Sequence, residues 1–424
     1  MATRSVSGWP RGCYNVIVAY NYQQKCSLVN LKLKWVKDRT LDSVVVGQNE
    51  LKAACMLVAM IAKEPGGCRA VYHLARKRRQ IGLPFDLKLS TFVRRYPTVF
   101  EQFYARDSGG TPVPWYRLTT EAQCLQQQLV EVLKRDEADL VDRLCKFLML
   151  TRDKILPLQT IDQLKWDLGL PYDYHESLIP HHPDKFAFVP LPDDRVGLKL
   201  LKCDESLAVS QLQLVNSRQR DEDKENNSLA FPISFTRGFG LKRKCMKWLE
   251  EWQKLPYTSP YIDASHLDPR TDVSEKRIVG VFHELLHLTV QKKTERKNVS
   301  NLRKPLAMPQ KFTKVFERHP GIFYISMKGN TQTVVLREGY VGGELINKHP
   351  LVKIREKFSS IMKKGVVDRS RGLYKAAAND KLVCGDELSK LHDQKVWVDG
   401  HGSDGESEWE MFPEYNSDEV VNEI

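Results

Sequence analysis

One proline-bracketed pattern occurs three times in this chain, and it constrains the fold more than any other feature. Gly82-Leu83-Pro84-Phe85-Asp86 precedes Tyr96-Pro97-Thr98-Val99-Phe100, and Gly169-Leu170-Pro171-Tyr172-Asp173 precedes His182-Pro183-Asp184-Lys185-Phe186. A looser copy runs from Pro309 to His319-Pro320-Gly321-Ile322-Phe323. Self-similarity on this scale marks one supersecondary unit used several times. The bracketing prolines stand 13, 12 and 11 residues apart. That spacing predicts a three-turn helix, opened by proline near its first turn and closed before the second proline.

After the second proline each copy turns to strand chemistry: Val99 to Tyr104 then Trp115 to Leu118, Phe186 to Val189 then Val196 to Leu201, and Ile322 to Ser326 then Thr333 to Leu336. Turn formers separate the paired runs, namely Ser108-Gly109-Gly110, Asp193-Asp194 and Lys328-Gly329-Asn330, so each copy ends in a β-hairpin. Upstream of each framed helix lie two more helical stretches. They are Leu51 to Ile61 and Val71 to Arg79 in the first copy; Leu140, Val141, Leu144, Phe147 and Leu148, then Ile161, Leu164 and Leu168, in the second; and Ile278 to Val290 with a short stretch around Leu302 in the third. The expected fold class is α+β, with three repeated helix-helix-helix-β-hairpin modules of winged-helix type. The framed helix takes the recognition position and the hairpin is the wing. The same pattern also fits a generic α+β repeat that reads no groove.

The division that follows is a first module over residues 37–135, a second over 136–216, a polar linker over 217–228 and a third module with a basic extension over 229–375. The linker holds no apolar residue. Residues 376–424 form an acidic tail expected to be disordered. Residues 1–36 read as an organelle transit peptide: no acidic residue precedes Asp38, while Arg4, Arg11, Lys25, Lys32 and Lys34 are present.

Charge narrows the partner. The formal net charge is +12, but residues 399–424 carry nine acidic and no basic residues; without them 65 Lys and Arg face 44 Asp and Glu, a net of +21. A body this basic calls for a polyanion, either nucleic acid or an anionic membrane surface, with plain solubility as the bland alternative. The longest apolar run, Ala53 to Ala62, is about half of the roughly 18 residues a spanning helix needs, so no membrane role is expected. The nine cysteines are scattered without a Cys-x-x-Cys pair, which indicates neither a disulfide framework nor a thiolate zinc site.

Candidate phosphate contacts are the recurrent cation clusters: Arg76, Lys77, Arg78 and Arg79; Arg94 and Arg95; Lys242, Arg243 and Lys244; Lys311, Lys314 and Arg318; and Lys353, Arg355 and Lys357, which open a longer basic run reaching Lys375. Lys311, Lys314 and Arg318, spaced i, i+3, i+7, are expected to share one helix face. Cations beside aromatics such as Tyr96 and Trp115 suit phosphate contact with base stacking. Trp248, Trp252, Leu255-Pro256-Tyr257 and Ser259-Pro260-Tyr261 read as interdomain packing.

A competing motif is His283-Glu284-Leu285-Leu286-His287, the His-Glu-x-x-His zincin pattern, in which i, i+4 imidazoles share zinc and Glu284 serves as base. Against it, no Gly and third His follow, no later Glu stands in a ligand motif, and the helix is apolar around most of its circumference. The expectation is therefore no metal and no catalytic residue, with a zinc metallopeptidase as the enzymatic alternative. There is no Gly-x-Ser-x-Gly elbow and no Walker loop, and Arg237-Gly238-Phe239-Gly240 does not make a dinucleotide site, so no cofactor is expected.

The segments that carry the repeat also resemble a known family. Tyr96-Pro97-Thr98-Val99-Phe100, Arg117-Leu118-Thr119, Leu144 to Leu150, Asp167-Leu168-Gly169-Leu170-Pro171, Trp252 to Tyr261, Glu275-Lys276-Arg277 to Thr289, and Gly321-Ile322-Phe323-Tyr324-Ile325-Ser326 through Leu336-Arg337-Glu338-Gly339-Tyr340 are similar to the plant organelle RNA recognition (PORR) domain proteins. The resemblance covers roughly residues 35 to 365. It implies a non-enzymatic RNA-binding protein that promotes group II intron splicing in a mitochondrion or, alternatively, a chloroplast. Its partners would be organelle intron RNA and other splicing factors, with no small-molecule substrate. The alternative within binding proteins is a DNA-binding winged-helix regulator, since winged helices usually read duplex DNA.

Overall fold

The structure, a computed structural model, describes residues 33–83, 87–106, 110–219, 229–240, 242–329 and 331–372. The expected transit peptide up to residue 32, most of the polar linker and the acidic tail lie outside the described residues.

Each copy forms one small three-stranded antiparallel sheet. β1 (Cys68–Ala70), β2 (Phe100–Arg106) and β3 (Pro112–Leu118) make the first; β4 (Ile155–Pro157), β5 (Phe186–Pro190) and β6 (Val196–Leu200) the second; β7 (Lys293–Glu295), β8 (Phe323–Ser326) and β9 (Thr333–Leu336) the third. Their strand orders are the same, β1-β3-β2, β4-β6-β5 and β7-β9-β8. The sequence reading supplied the hairpin of each sheet and missed the third, short strand that pairs with its outer arm.

The register shows why the hairpins recur. The phenylalanine three residues after each second proline opens a strand opposite a leucine: Phe100 with Leu118, Phe186 with Leu200, and Phe323 with Leu336. All six are buried. A residue pair directly opposite on one face is the unit that fixes register, because a slip by one residue would turn every core side chain outward.

The first helix of each copy is Gln48–Ala62, Glu137–Met149 and Asp272–Leu288; the second is Val71–Arg76, Leu158–Leu168 and Arg296–Ser300. Gly82 and Gly169, the glycines of the two Gly-Leu-Pro motifs, sit at φ +80° and +81°. Left-handed glycine stops a helix without a Cβ penalty. At Gly169 a side chain would also meet Val290 Cγ1 at 2.8 Å.

The framed helices are shorter than the proline spacing predicts. The first is Leu89–Arg95, the second breaks into Tyr174–Ser177 and a 3₁₀ turn at Ile179–His181, and the third into Phe312–Lys314 and Val315–Arg318. Pro180 lies inside the second segment, and Lys311 is left-handed at φ +60°. Lys311, Lys314 and Arg318 therefore do not share the face of one continuous helix.

Two apolar cores hold the modules. The second and third copies share one, closed by Phe231, Trp248 and Trp252, in keeping with the packing role expected of that aromatic stretch. The first copy has its own, completed by Ile354, Phe358, Ile361 and Met362 from the terminal Pro350–Ser370 helix. That helix comes so close that a side chain at Gly365 would meet Thr98 Oγ1 at 2.5 Å, and Thr98 donates to the Ile361 carbonyl at 2.7 Å.

The chain start crosses the other way. Helix Arg39–Val45 packs Leu41 and Val45 on Tyr324 and Val335 of the third sheet. Asp42 accepts from Tyr324 (2.9 Å) and Ser326 (2.7 Å). Each end of the described chain thus closes a copy distant in sequence. The apolar stretch Arg39–Ala62 has the length and hydropathy of a membrane span. It is broken by extended Val46 and left-handed Gly47 and is more than half buried in protein.

Candidate nucleic-acid interface

The predicted cations separate into two groups once their neighbours are visible. Arg95 and Arg318 belong to a clamp inside the modules. In the first copy Glu50 accepts from Tyr96 Oη (2.6 Å) and from Arg95 (2.6 Å). In the third, Glu275 meets His319 Nε2 (2.7 Å) and Arg318 (2.6 Å). In the second, Glu137 meets His182 Nε2 at 2.8 Å and His181 at 3.8 Å. Arg95 and Arg318 are thereby directed at carboxylates of their own modules, Arg318 at a buried one and Arg95 at one near the surface. Tyr96, 2% exposed, is equally unavailable for base stacking. Trp115 is half-buried, tilted against Phe103 with ring centroids 6.4 Å apart.

Arg355 calls for a correction. It is buried, its guanidinium lies 3.6 Å from the centroid of the Trp166 ring, and its Nη2 donates to the Trp166 carbonyl at 2.7 Å. Burial lowers its pKa to about 10, since a low dielectric disfavours the cation. It fastens the terminal helix to the second copy and offers nothing to a phosphate.

The remaining positions are outward. Arg76, Arg94, Lys242, Arg243, Lys244, Lys311, Lys314, Lys353 and Lys357 are exposed, and among the described residues none forms an ion pair with a carboxylate. Lys77 is half-buried, and Arg78 donates to the Leu87 carbonyl at 2.8 Å. The side chain of Arg79 lies outside what is described.

The clearest array is on the terminal helix, whose apolar side is buried in the first core. With 3.6 residues per turn, Lys353, Lys357 and Lys364 fall within about 40° of one another, spread over roughly 17 Å of axis. All three are exposed. Lys357 touches the neutral Gln128 at 2.9 Å, and the adjacent Glu356 is taken up by Lys348 at 3.0 Å. Arg369 donates to the Arg94 carbonyl at 2.9 Å, which brings the end of this helix beside Arg94.

By contrast, a groove of about 910 Å³ between the copies is nearly charge-balanced. Its Lys63 pairs with Asp173 (3.1 Å), Lys165 with Asp162 (3.1 Å), Lys297 with Glu295 (2.9 Å) and Arg69 with Glu64. Cations already facing carboxylates give little extra attraction to a polyanion.

The zincin motif behaves unexpectedly. Glu284 is 1% exposed and committed to three partners: it accepts from Tyr261 Oη (2.6 Å) and the Gln211 amide (2.6 Å), and meets Lys146 at 3.0 Å. A carboxylate so engaged is not a free base. The two imidazoles meet a residue that sequence reasoning missed. Glu338, from the turn after β9, has its Oε1 2.8 Å from His283 Nε2 and in contact with His287 Nε2. Burial lowers the pKa of His287 to about 4, and the imidazoles hold the Glu338 carboxyl far below its ordinary range despite its burial.

Three copies of one helix and hairpin unit thus carry exposed cations that, among the described residues, face no carboxylate. The chain belongs to the plant organelle RNA recognition domain family, which matches residues 36–367. It is 37% identical to Protein WHAT'S THIS FACTOR 9, mitochondrial, of Arabidopsis thaliana over 345 residues, 81% of this chain and 88% of that protein. It is 31% identical to Protein WHAT'S THIS FACTOR 1 homolog, chloroplastic, of Arabidopsis thaliana, over 79% of this chain and 64% of that one. With Protein WHAT'S THIS FACTOR 1, chloroplastic, of Zea mays it shares 29% over 91% of this chain and 82% of that one. No solved structure matches the chain significantly.

Proposed function

We propose that this protein binds group II intron RNA in a plant mitochondrion and promotes splicing by holding the RNA in its folded form. The RNA supplies the chemistry and the protein is not an enzyme. A chloroplast is the alternative compartment, since relatives carry both designations.

The observation that carries this reading is the line of Lys353, Lys357 and Lys364 on one solvent-facing side of a helix otherwise anchored in the core. A rigid row of cations without carboxylate partners among the described residues suits a phosphate backbone. Arg94, Arg76, Lys242, Arg243, Lys244, Lys311 and Lys314 extend the contact to further faces.

The identical strand orders, each with a short first strand between two helices and a terminal hairpin, support reading the modules as three winged helices. The framed helices, at two turns or fewer, engage Arg95 and Arg318 with carboxylates of their own modules, which disfavours a major-groove DNA reader. The test is titration of fluorescent intron RNA and duplex DNA with the protein and its Lys353→Glu/Lys357→Glu/Lys364→Glu variant at fixed salt. RNA binding should weaken at least about tenfold in the variant, and RNA should win over DNA. Unchanged affinity would remove the helix from the interface, and preference for DNA would overturn the RNA reading.

A further inference from the structure

The His283, His287 and Glu338 cluster plays no part in RNA binding as proposed, and its geometry is that of a ligand set. Two imidazoles four residues apart project from one side of helix Asp272–Leu288, with ring centroids 4.6 Å apart. Glu338 comes from the turn Arg337–Gly339, 51 residues beyond His287. One donor atom from each residue lies within 4.8 Å of the others. In a tetrahedral zinc site with ligand bonds of about 2.1 Å, neighbouring donors stand about 3.4 Å apart. Small movements of the Glu338 side chain and of the two imidazoles would bring the three to these separations.

A second observation points the same way. His283 is 2% exposed, and its Nε2 faces Glu338 Oε1 at 2.8 Å, the same oxygen that the His287 Nε2 contacts. Two imidazole nitrogens converging on one carboxylate oxygen form an arrangement that a cation between them would satisfy. One side of the cluster opens on a cleft of about 410 Å³ lined by Gln211, Pro232, Lys292 and Asn347, with room for water as a fourth ligand. Lys292 is its one lysine or arginine among the described residues, and that ammonium is tied to the His287 carbonyl.

We infer that His283, His287 and Glu338 bind one divalent ion of the borderline class, zinc above all, which locks the long helix of the third copy to the turn after β9. Two imidazoles and one carboxylate are the donor set such ions favour. The site is structural, because Glu284, the base a zincin would need, faces Lys146, Tyr261 and the Gln211 amide instead.

The test uses the full chain, stripped with chelator and reloaded with zinc or cobalt(II). Elemental analysis after gel filtration should find about one zinc per chain. The apparent Tm should rise on loading by at least ~2 °C. Cobalt should give visible ligand-field bands without the near-ultraviolet charge transfer of thiolate ligands. His287→Gln and Glu338→Gln should lose the metal and the Tm response, and circular dichroism of the stripped variants shows whether they fold. If either folded variant holds zinc like the wild type, or cobalt shows thiolate bands, the metal sits elsewhere and the inference fails. It fails equally if the wild type retains no zinc. None of these readouts depends on RNA, so they leave the RNA reading untouched.

Discussion

Tyr96 donates a 2.6 Å hydrogen bond to Glu50, and the same relationship recurs as His182 with Glu137 (2.8 Å) and His319 with Glu275 (2.7 Å). In every copy the residue before the second proline reaches a carboxylate in the first turns of that copy's first helix. The partner changes from phenol to imidazole while the contact persists. The clamp ties the hairpin's entry to the leading helix, so it sets the angle at which each module closes.

Its contribution should scale with burial. The Glu50, Glu137 and Glu275 side chains are 45%, 33% and 7% exposed. Removing one partner of a buried pair costs about 3–5 kcal/mol, and of an exposed pair about 0–1 kcal/mol. Glu275→Ala should therefore lower the urea midpoint most and Glu50→Ala least. A reversed order would mean that the clamp does not carry the stability assigned to it.

Neighbouring cations on the terminal helix should behave oppositely. Lys353→Ala should leave stability within about 0.5 kcal/mol of wild type, weaken RNA binding and reduce the salt slope of log K by about 0.7–1. Arg355→Ala should destabilise the fold by roughly 2–4 kcal/mol through loss of the Trp166 stack and its hydrogen bond, and affect RNA only through unfolding. Equal effects of the two on RNA affinity at low temperature would contradict the division.

This division also marks what could be read in advance. The hairpins were legible because residue alternation and turn formers are local signals, and the Phe-to-Leu pairs recur at fixed distances from proline. β1, β4 and β7 were not, because three residues are too short to display a period. Arg95, Arg318 and Arg355 were read as cations without partners because sequence reports charge and not neighbours: Glu50, Glu275 and Trp166 are 45, 43 and 189 residues away. Glu338 stayed invisible as a partner of His283 for the same reason. A partner 55 residues downstream with no motif of its own becomes apparent only when β9 is laid beside the long helix.

Stability should carry a pH signature from Lys276. Its ammonium is fully buried, donates to the Gln253 and Leu255 carbonyls at 2.7 Å, and has its pKa lowered by burial to about 8. Unfolded, it returns to about 10.4. Between these values the unfolded chain binds more protons, so stability rises with pH, and below pH 8 the whole penalty is present. The wild-type unfolding free energy minus that of Lys276→Met should climb from pH 8 to pH 10, with a slope of up to ~1.4 kcal/mol per unit. Parallel curves would mean that the buried amine keeps its ordinary pKa.

The most direct test of the central claim is immunoprecipitation of the tagged protein from isolated plant mitochondria and chloroplasts, followed by sequencing of the bound RNA. The account predicts enrichment of group II intron RNA over exons and over other organelle transcripts, lost when Lys353, Lys357 and Lys364 are replaced by glutamate. Recovery of no intron above background from either organelle would contradict it.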